Sequence, residues 1–201
     1  MKFFKQKPFT EKSCWDLITK ARIKALKKDP NLNVYLDFYL SKLLSRLHKS
    51  DLIKFAIFIM KKNKELQTDT LNGVCWLINE VGHGDTFSDF CSWIIYMGSD
   101  VFEIATNNPD ELVDYVRKSE EGYLLLDDGG PSSVWLLIDE LYERNKLTKE
   151  EYDLYEQEID IIRKQPFLET NSWEKHSDLK SMFPKLAEYV IERDGPNCFD
   201  D

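Results

Sequence analysis

Almost every stretch of this chain repeats its apolar residues with the period of an α-helix, and the pattern is densest between residues 71 and 115. Two apolar segments there flank a glycine-rich corner at residues 82–85. Glycine readily adopts the left-handed conformation that ends a helix, so the corner predicts two helices that turn back on each other. Both segments also carry tryptophan and acid away from their main apolar stripe, where ordinary amphipathic helices are solvated. A central helical hairpin is therefore predicted over about 69–97.

Start and stop signals divide the rest of the chain into further helices. Ser13-x-x-Asp16 and Thr148-x-x-Glu151 fit capping boxes, with Thr10 as an alternative first cap. Residues 108–111, Asn-Pro-Asp-Glu, combine a capping residue, an early proline and acids, which is a strong start signal. A last helix is predicted from about residue 175 or 178 to 193. The fold class is all-α, a single compact multi-helix domain of about eight to ten helices.

Changes in charge and glycine content along the chain suggest how the domain is organised. We expect a basic N-terminal tail (1–9), a helical core (10–118), an acidic glycine-rich loop (119–131), acidic C-terminal helices packed on the core (132–194) and a frayed tail (195–201). Residues 120–126 fit either a strand or a loop.

Charge is divided unevenly between the two ends of the chain. Residues 1–66 hold 16 Lys+Arg and 6 Asp+Glu, whereas the remainder holds 11 Lys+Arg and 30 Asp+Glu. One interpretation is a basic surface for phosphates and an acidic surface for a basic partner. The other is that basic and acidic helices face each other or stay solvated, since surface charge costs little.

Cysteine usage and hydropathy indicate the compartment. The four cysteines form no Cys-x-x-Cys pair, which favours reduced thiols. The N-terminus lacks the apolar run of a signal peptide, and the longest apolar run, Phe55–Met60, is too short to cross a bilayer. We therefore expect a cytoplasmic protein with no membrane association.

Residues 14–18, Cys-Trp-Asp-Leu-Ile, and Asn72–Asn79 resemble motifs of one bacterial family, catalogued as domain of unknown function 4240. The first is similar to its Phe-Trp-x-Leu-Ile opening and the second to its middle helix. Asp85–Ile95 resembles its Asp-Asp-x-Phe-x-x-Phe-Arg-x-Trp-Leu pattern. Further matches are Gly98, Val101-Phe102-Glu103 and Asn108-Pro109-Asp110-x-Leu112.

The resemblance covers about residues 10–118, and this sequence departs from the family pattern at two positions. Thr86 stands where the family commonly has a second Asp, and Cys91 stands where it often has Arg. A charged site depending on those positions is thus not expected here. The family carries no assigned reaction, so the resemblance implies a fold and leaves the function to be argued from the residues.

The second face of the central hairpin is the first candidate binding site. Helical spacing predicts that indoles and acids from both helices line one cleft; the residues are Trp76, Asn79, Glu80, His83, Asp85, Asp89 and Trp93. In the alternative interpretation Asp85 caps a helix, Asp89 pairs with a base and both tryptophans belong to the core. No zinc or EF-hand spacing is present, so neither a metal site nor a cofactor is predicted.

Catalysis and nucleic-acid binding are both disfavoured by the residues present. Cys75 and Cys91 lie on apolar stripes, and three histidines offer no clear nucleophile–base pair, so no catalytic residue is predicted. The basic residues between 24 and 64 are mostly lysines spread over three helices, and the net charge of −9 opposes non-specific nucleic-acid binding.

The function expected from these features is non-enzymatic protein binding. The most concrete version is an inhibitor or immunity-type protein that covers a basic partner with an acidic face, formed by Glu150, Glu151, Asp153, Glu156 and Asp160. Tyr142 or Tyr155 would anchor the contact. The alternative is a small-ligand-binding or hydrolytic domain that uses the central cleft. The sequence leaves the oligomeric state open.

Overall fold

A computed structural model describes residues 8–28, 33–80, 82, 84–118, 133–144, 146–166 and 176–199. These residues form eleven α-helices and one 3-10 helix, and no strand, which confirms the all-α prediction with slightly more helices than expected. The helices are α1 (Glu11–Lys28), α2 (Asn33–Leu44), α3 (Lys49–Leu66), α4 (Asp69–Asn79), α5 (Gly84–Met97), α6 (Ser99–Asn107), the 3-10 helix (Pro109–Leu112), α7 (Val113–Lys118), α8 (Ser133–Glu143), α9 (Lys149–Arg163), α10 (His176–Met182) and α11 (Pro184–Asp194).

Helix α5 lies at the centre of the core. It contacts α1, α3, α4 and α6, so its apolar residues are covered on more than one side. Seven of its fourteen residues are buried, including Trp93, Ile95 and Tyr96, which lie off the main stripe through Phe90 and Ile94. A helix surrounded in this way needs apolar residues on most of its circumference.

The C-terminal helices pack on the N-terminal ones at two places. Helix α8 contacts α2 and α3, and α9 contacts α3, whereas α11 contacts α4, α7 and the 3-10 helix. The acidic loop predicted at 119–131, with its strand-or-loop question at 120–126, lies outside the described residues, as do residues 1–7. No described helix has both the length and the apolar content needed to span a bilayer.

Local capping signals account for several helix starts. Thr148 and Glu151 form the predicted capping box, in which each side chain accepts a hydrogen bond from the other's backbone N–H. At α1 the first helical residue is Glu11, so the cap position is Thr10, whose N–H donates to Ser13 Oγ at 3.1 Å. Thr10 therefore occupies the cap position, whereas Ser13 and Asp16, predicted as a capping box, lie inside the helix.

One prediction at the C-terminal end is wrong. The single last helix is two helices, because Phe183 leaves the helical conformation and Pro184 begins α11. Proline disfavours helical geometry in the residue before it and suits the first helical position. In the tail after Gly195, Phe199 is 7% exposed and Lys180 Nζ lies 5.7 Å from its ring centroid.

A buried acid from the 3-10 helix caps α11. Asp110 Oδ1 accepts hydrogen bonds from the backbone N–H groups of Lys185 (3.1 Å) and Leu186 (3.0 Å), and Oδ2 lies 3.2 Å from Lys185 N. Phe183, the residue at the cap position itself, supplies no side-chain hydrogen bond. The Asn-Pro-Asp-Glu segment thus starts its own helix and also satisfies the N-terminus of a helix 75 residues away.

Candidate functional site

The predicted cleft is built around a tight turn between α4 and α5. Helix α4 ends at Asn79, its C-cap residue Glu80 adopts a left-handed conformation (φ 59°), and α5 begins at Gly84 (φ 61°). Asn72 Nδ2 donates to the carbonyl oxygen of Gly82. A Cβ at Gly82 would lie 3.0 Å from the Asn72 carbonyl oxygen and 3.1 Å from Trp76 Cβ, so the corner packs directly onto α4. A side chain at residue 82 would require Asn72 or Trp76 to shift by a few tenths of an ångström.

The two tryptophans do not form the walls of an open cleft. Trp93 is 4% exposed and its ring stacks on Phe90, with 5.8 Å between centroids. Trp76 is half-buried and packs against the hydrophobic core. The expected indole pair is thus one core side chain and one partly covered side chain.

The two acids of α5 lie at the surface rather than in a pocket. Asp85 is exposed in the first turn of α5, and Asp89, one turn later, is half-buried. Partial burial and the neighbouring Asp85 carboxylate raise the pKa of Asp89. Asp89 forms no ion pair with any base in the described part of the chain, which differs from the pairing considered for it.

The polar residues at the end of α4 serve local contacts. Asn79 Nδ2 donates to Cys75 Sγ at 3.5 Å. Glu80 is exposed, 3.6 Å from Arg193 Nη2, while Arg193 Nη1 donates to the Ile78 carbonyl oxygen at 2.7 Å and so caps the C-terminus of α4. His83, the remaining residue of the predicted cleft, lies outside the described residues.

The described residues at this position include neither a group of metal ligands nor a reactive thiol. Within them, no three His, Cys, Asp or Glu side chains come close enough to hold a metal ion. Burial raises the pKa of the Cys75 thiol to about 12, and that of Cys91 well above its usual value. Two surface cavities of about 190 and 320 Å³ lie elsewhere, and none of the predicted cleft residues lines either one.

Helix α9, which carries the predicted acidic face, is fixed to α3 by interhelical ion pairs. Lys49 Nζ lies 2.7 Å from Glu151 Oε1 and 3.2 Å from the Lys146 carbonyl oxygen, and Lys61 Nζ lies 3.1 Å from Glu158 Oε1. Lys49 and the Thr148 N–H together lower the pKa of Glu151. The basic helix α3 and the acidic helix α9 therefore face each other across this helix–helix contact.

The five acids predicted for the acidic face differ in how they are used. Glu151 accepts a hydrogen bond in the capping box and forms an ion pair with Lys49. Asp153 pairs with Lys149 of the same helix at 2.6 Å, and Asp160 pairs with Lys164, the C-cap residue of α9, at 3.5 Å; all four side chains are exposed. Glu150 and Glu156 form no ion pair with the residues that the structure describes. The outer face retains acidic character, but its net charge is smaller than the five acids alone suggest.

The apolar and aromatic side chains on and near this face differ in how far they are exposed. Tyr155 is 5% exposed, so its role as an anchor is wrong, and Tyr142 is 37% exposed with its ring 4.2 Å from that of Tyr152. Leu154 and Ile161 are instead exposed, at 65% and 66%. Their spacing of seven residues, out of phase with the inward Tyr155 and Ile162, is the sequence signal that identifies them.

Comparison with known proteins yields one match. No curated protein and no solved structure matches the chain. A family model described as "Protein of unknown function (DUF4240)" matches residues 9–144, more than half of the chain. The match extends past residue 118, where the predicted resemblance ended, and includes α8 (Ser133–Glu143). The chain therefore belongs to the DUF4240 family.

Proposed function

We propose that this protein is a non-enzymatic binding module that covers a basic protein partner with the outer face of α9. An inhibitor or immunity-type protein is the most concrete form of this function. Such a protein needs a stable surface of complementary charge with a few apolar anchors. It needs no catalytic group.

The exposure of Leu154 and Ile161 beside acidic residues is the observation that carries the proposal. Both side chains are about two-thirds exposed, and Glu150, Asp153 and Asp160 surround them on the same helix. Acids of this kind accelerate the encounter with a basic protein, and apolar side chains supply contact energy once water is excluded. The combination is typical of a protein-binding surface.

The rigidity of α9 supports the same function. Its inward residues Tyr155, Ile159 and Ile162 are buried, a capping box fixes its start, and Lys49 and Lys61 tie it to α3. A surface held in this way loses little conformational entropy when a partner binds. The face is therefore presented in a form ready for association.

Capture from the lysate of the host organism tests the proposal. The tagged chain is compared with an E150Q/D153N/D160N variant, at low and high salt, and bound proteins are quantified by mass spectrometry. We expect a basic protein to bind the wild type stoichiometrically, to dissociate at high salt and to be lost from the variant.

A matched variant controls for the change in net charge. Glu103, Asp114 and Glu188 are exposed acids outside α9, and the E103Q/D114N/E188Q variant removes the same charge. This control should retain the partner. Equal retention of all partners by the α9 variant and the wild type would contradict the proposed function.

A further inference from the structure

Helix α9 repeats its pattern over two successive heptads. Residues 151–157 read Glu-Tyr-Asp-Leu-Tyr-Glu-Gln and residues 158–164 read Glu-Ile-Asp-Ile-Ile-Arg-Lys, so five of seven positions keep their character. Leu154 and Ile161 occupy the same exposed position of each heptad, about 10.5 Å apart along the helix axis. They form an outward apolar seam, separate from the inward stripe that packs on α3.

Acids lie on both sides of this seam in both heptads, with Gln157 and Lys164 between the seam and one row of acids. Asp153 and Asp160 lie on one side, and Glu151 and Glu158 lie on the other. In paired helices, the positions that flank an apolar seam contact the flanking residues of the partner and decide which partner is accepted. Acids at all four positions favour lysine or arginine on the opposite helix.

The same arrangement disfavours a second copy of this chain as the occupant. If two α9 helices paired antiparallel through Leu154 and Ile161, Asp153 would approach Asp160 of the other copy. Like charges in a contact of this kind are repulsive and act against the wrong pairing. The seam is therefore better suited to a different, basic helix.

The ion pairs that these acids already make leave room for a partner's cations. Asp153, Glu158 and Asp160 keep roughly half of their side-chain surface exposed (48%, 46% and 53%) while paired with lysines. Exposed pairs of this kind contribute little energy and exchange readily. Glu151 is different, because its capping role fixes it and it contributes mainly to the local field.

We propose that α9 recognises an amphipathic helix of the partner whose apolar stripe is flanked by lysine or arginine. The partner helix lies along α9, with apolar side chains on Leu154 and Ile161 and basic side chains beside Asp153, Glu158 and Asp160. This inference rests on the proposed protein-binding function and specifies the partner's structural class.

Synthetic helical peptides test the inference directly. The first has three heptads with leucine at the seam and lysine at the flanking positions; the second has the same composition in scrambled order; the third has glutamate in place of lysine. Each is titrated into the full-length protein and binding is followed by fluorescence anisotropy. We expect the first peptide to bind at least tenfold more tightly than the other two.

Variants of the protein locate the binding surface. L154S/I161S should weaken binding of the first peptide at least tenfold, with circular dichroism confirming that the fold is retained. I23S/L26S is the matched control, because Ile23 and Leu26 are also exposed (49% and 47%) but lie on α1. This control should bind as the wild type does.

The possible failures are distinguishable. Equal affinity for the first and scrambled peptides would overturn the helix inference but leave an acidic binding surface intact. Binding unaffected by L154S/I161S, or no binding of any peptide, would also overturn it. The proposed function is tested separately, by whether the E150Q/D153N/D160N variant loses a captured partner.

Discussion

Replacement of Asp110 by alanine should destabilise the protein more than any change to a surface acid. Asp110 is 9% exposed and its carboxylate accepts hydrogen bonds from two backbone N–H groups in the first turn of α11. A lost N-cap costs about 0.5–2 kcal/mol, and a hydrogen bond to a charged group contributes about 1.5–3 kcal/mol. Because these terms overlap, we expect D110A to lower the free energy of unfolding by about 2–4 kcal/mol.

Urea denaturation followed by far-UV circular dichroism measures this loss. The transition midpoint should fall, with little change in slope if unfolding stays two-state. D110N should lose less than D110A, because an amide oxygen still accepts one hydrogen bond, although the charge that favours a helix N-terminus is gone. The order of stability is therefore wild type, then D110N, then D110A.

Glu111 provides the matched control for Asp110. It is the next residue in the 3-10 helix and pairs with Lys185 Nζ at 2.5 Å, but this pair is open to solvent, with the Lys185 and Glu111 side chains 53% and 37% exposed. Exposed ion pairs contribute little to stability, so E111Q should have a much smaller effect. A D110A variant no less stable than E111Q would refute the role assigned to the buried carboxylate.

Two further changes have defined outcomes. G98A should lower stability by about 1–3 kcal/mol in the same assay, because φ at Gly98 is +107° and a Cβ there would lie 2.7 Å from Arg22 Nη1; an unchanged midpoint would contradict this. D89N should gain stability over the wild type as the pH rises above 3.8, since the raised pKa of Asp89 means that folding disfavours its ionised form. Thermal melts across the acid range check it, and a gap independent of pH would show that ionisation is not the cause.

Local signals in the sequence predicted the helices well where the cause is local. The Thr148–Glu151 capping box depends on residues three apart, and the structure has it as predicted. The break before Pro184 was equally local, since proline restricts the residue before it, and the helical period around it obscured that signal. The cap that Asp110 supplies to α11 could not be predicted from neighbouring residues, because donor and acceptor are 75 residues apart in the sequence.

The candidate site illustrates the limits of helical periodicity. Helical periodicity predicted that Trp93 lies away from the main apolar stripe of α5. It carries no information on whether neighbouring helices cover that second face, as they do in the structure. On α9 the period separates inward Tyr155 from outward Leu154, because one residue turns the side chain by about 100°. The exposed seam was therefore present in the sequence, and only the packing of α9 on α3 identifies which stripe remains uncovered.

Side-chain footprinting of the complex recovered from the host lysate measures whether the outer face of α9 is the contact surface. Hydroxyl-radical oxidation is compared between the free protein and the complex, with Phe38 (58% exposed, on α2) as an internal reference. We expect Leu154 and Ile161 to become protected in the complex while Phe38 stays reactive. Undiminished oxidation of Leu154 and Ile161, with protection at another surface, would contradict the claim that α9 forms the binding face.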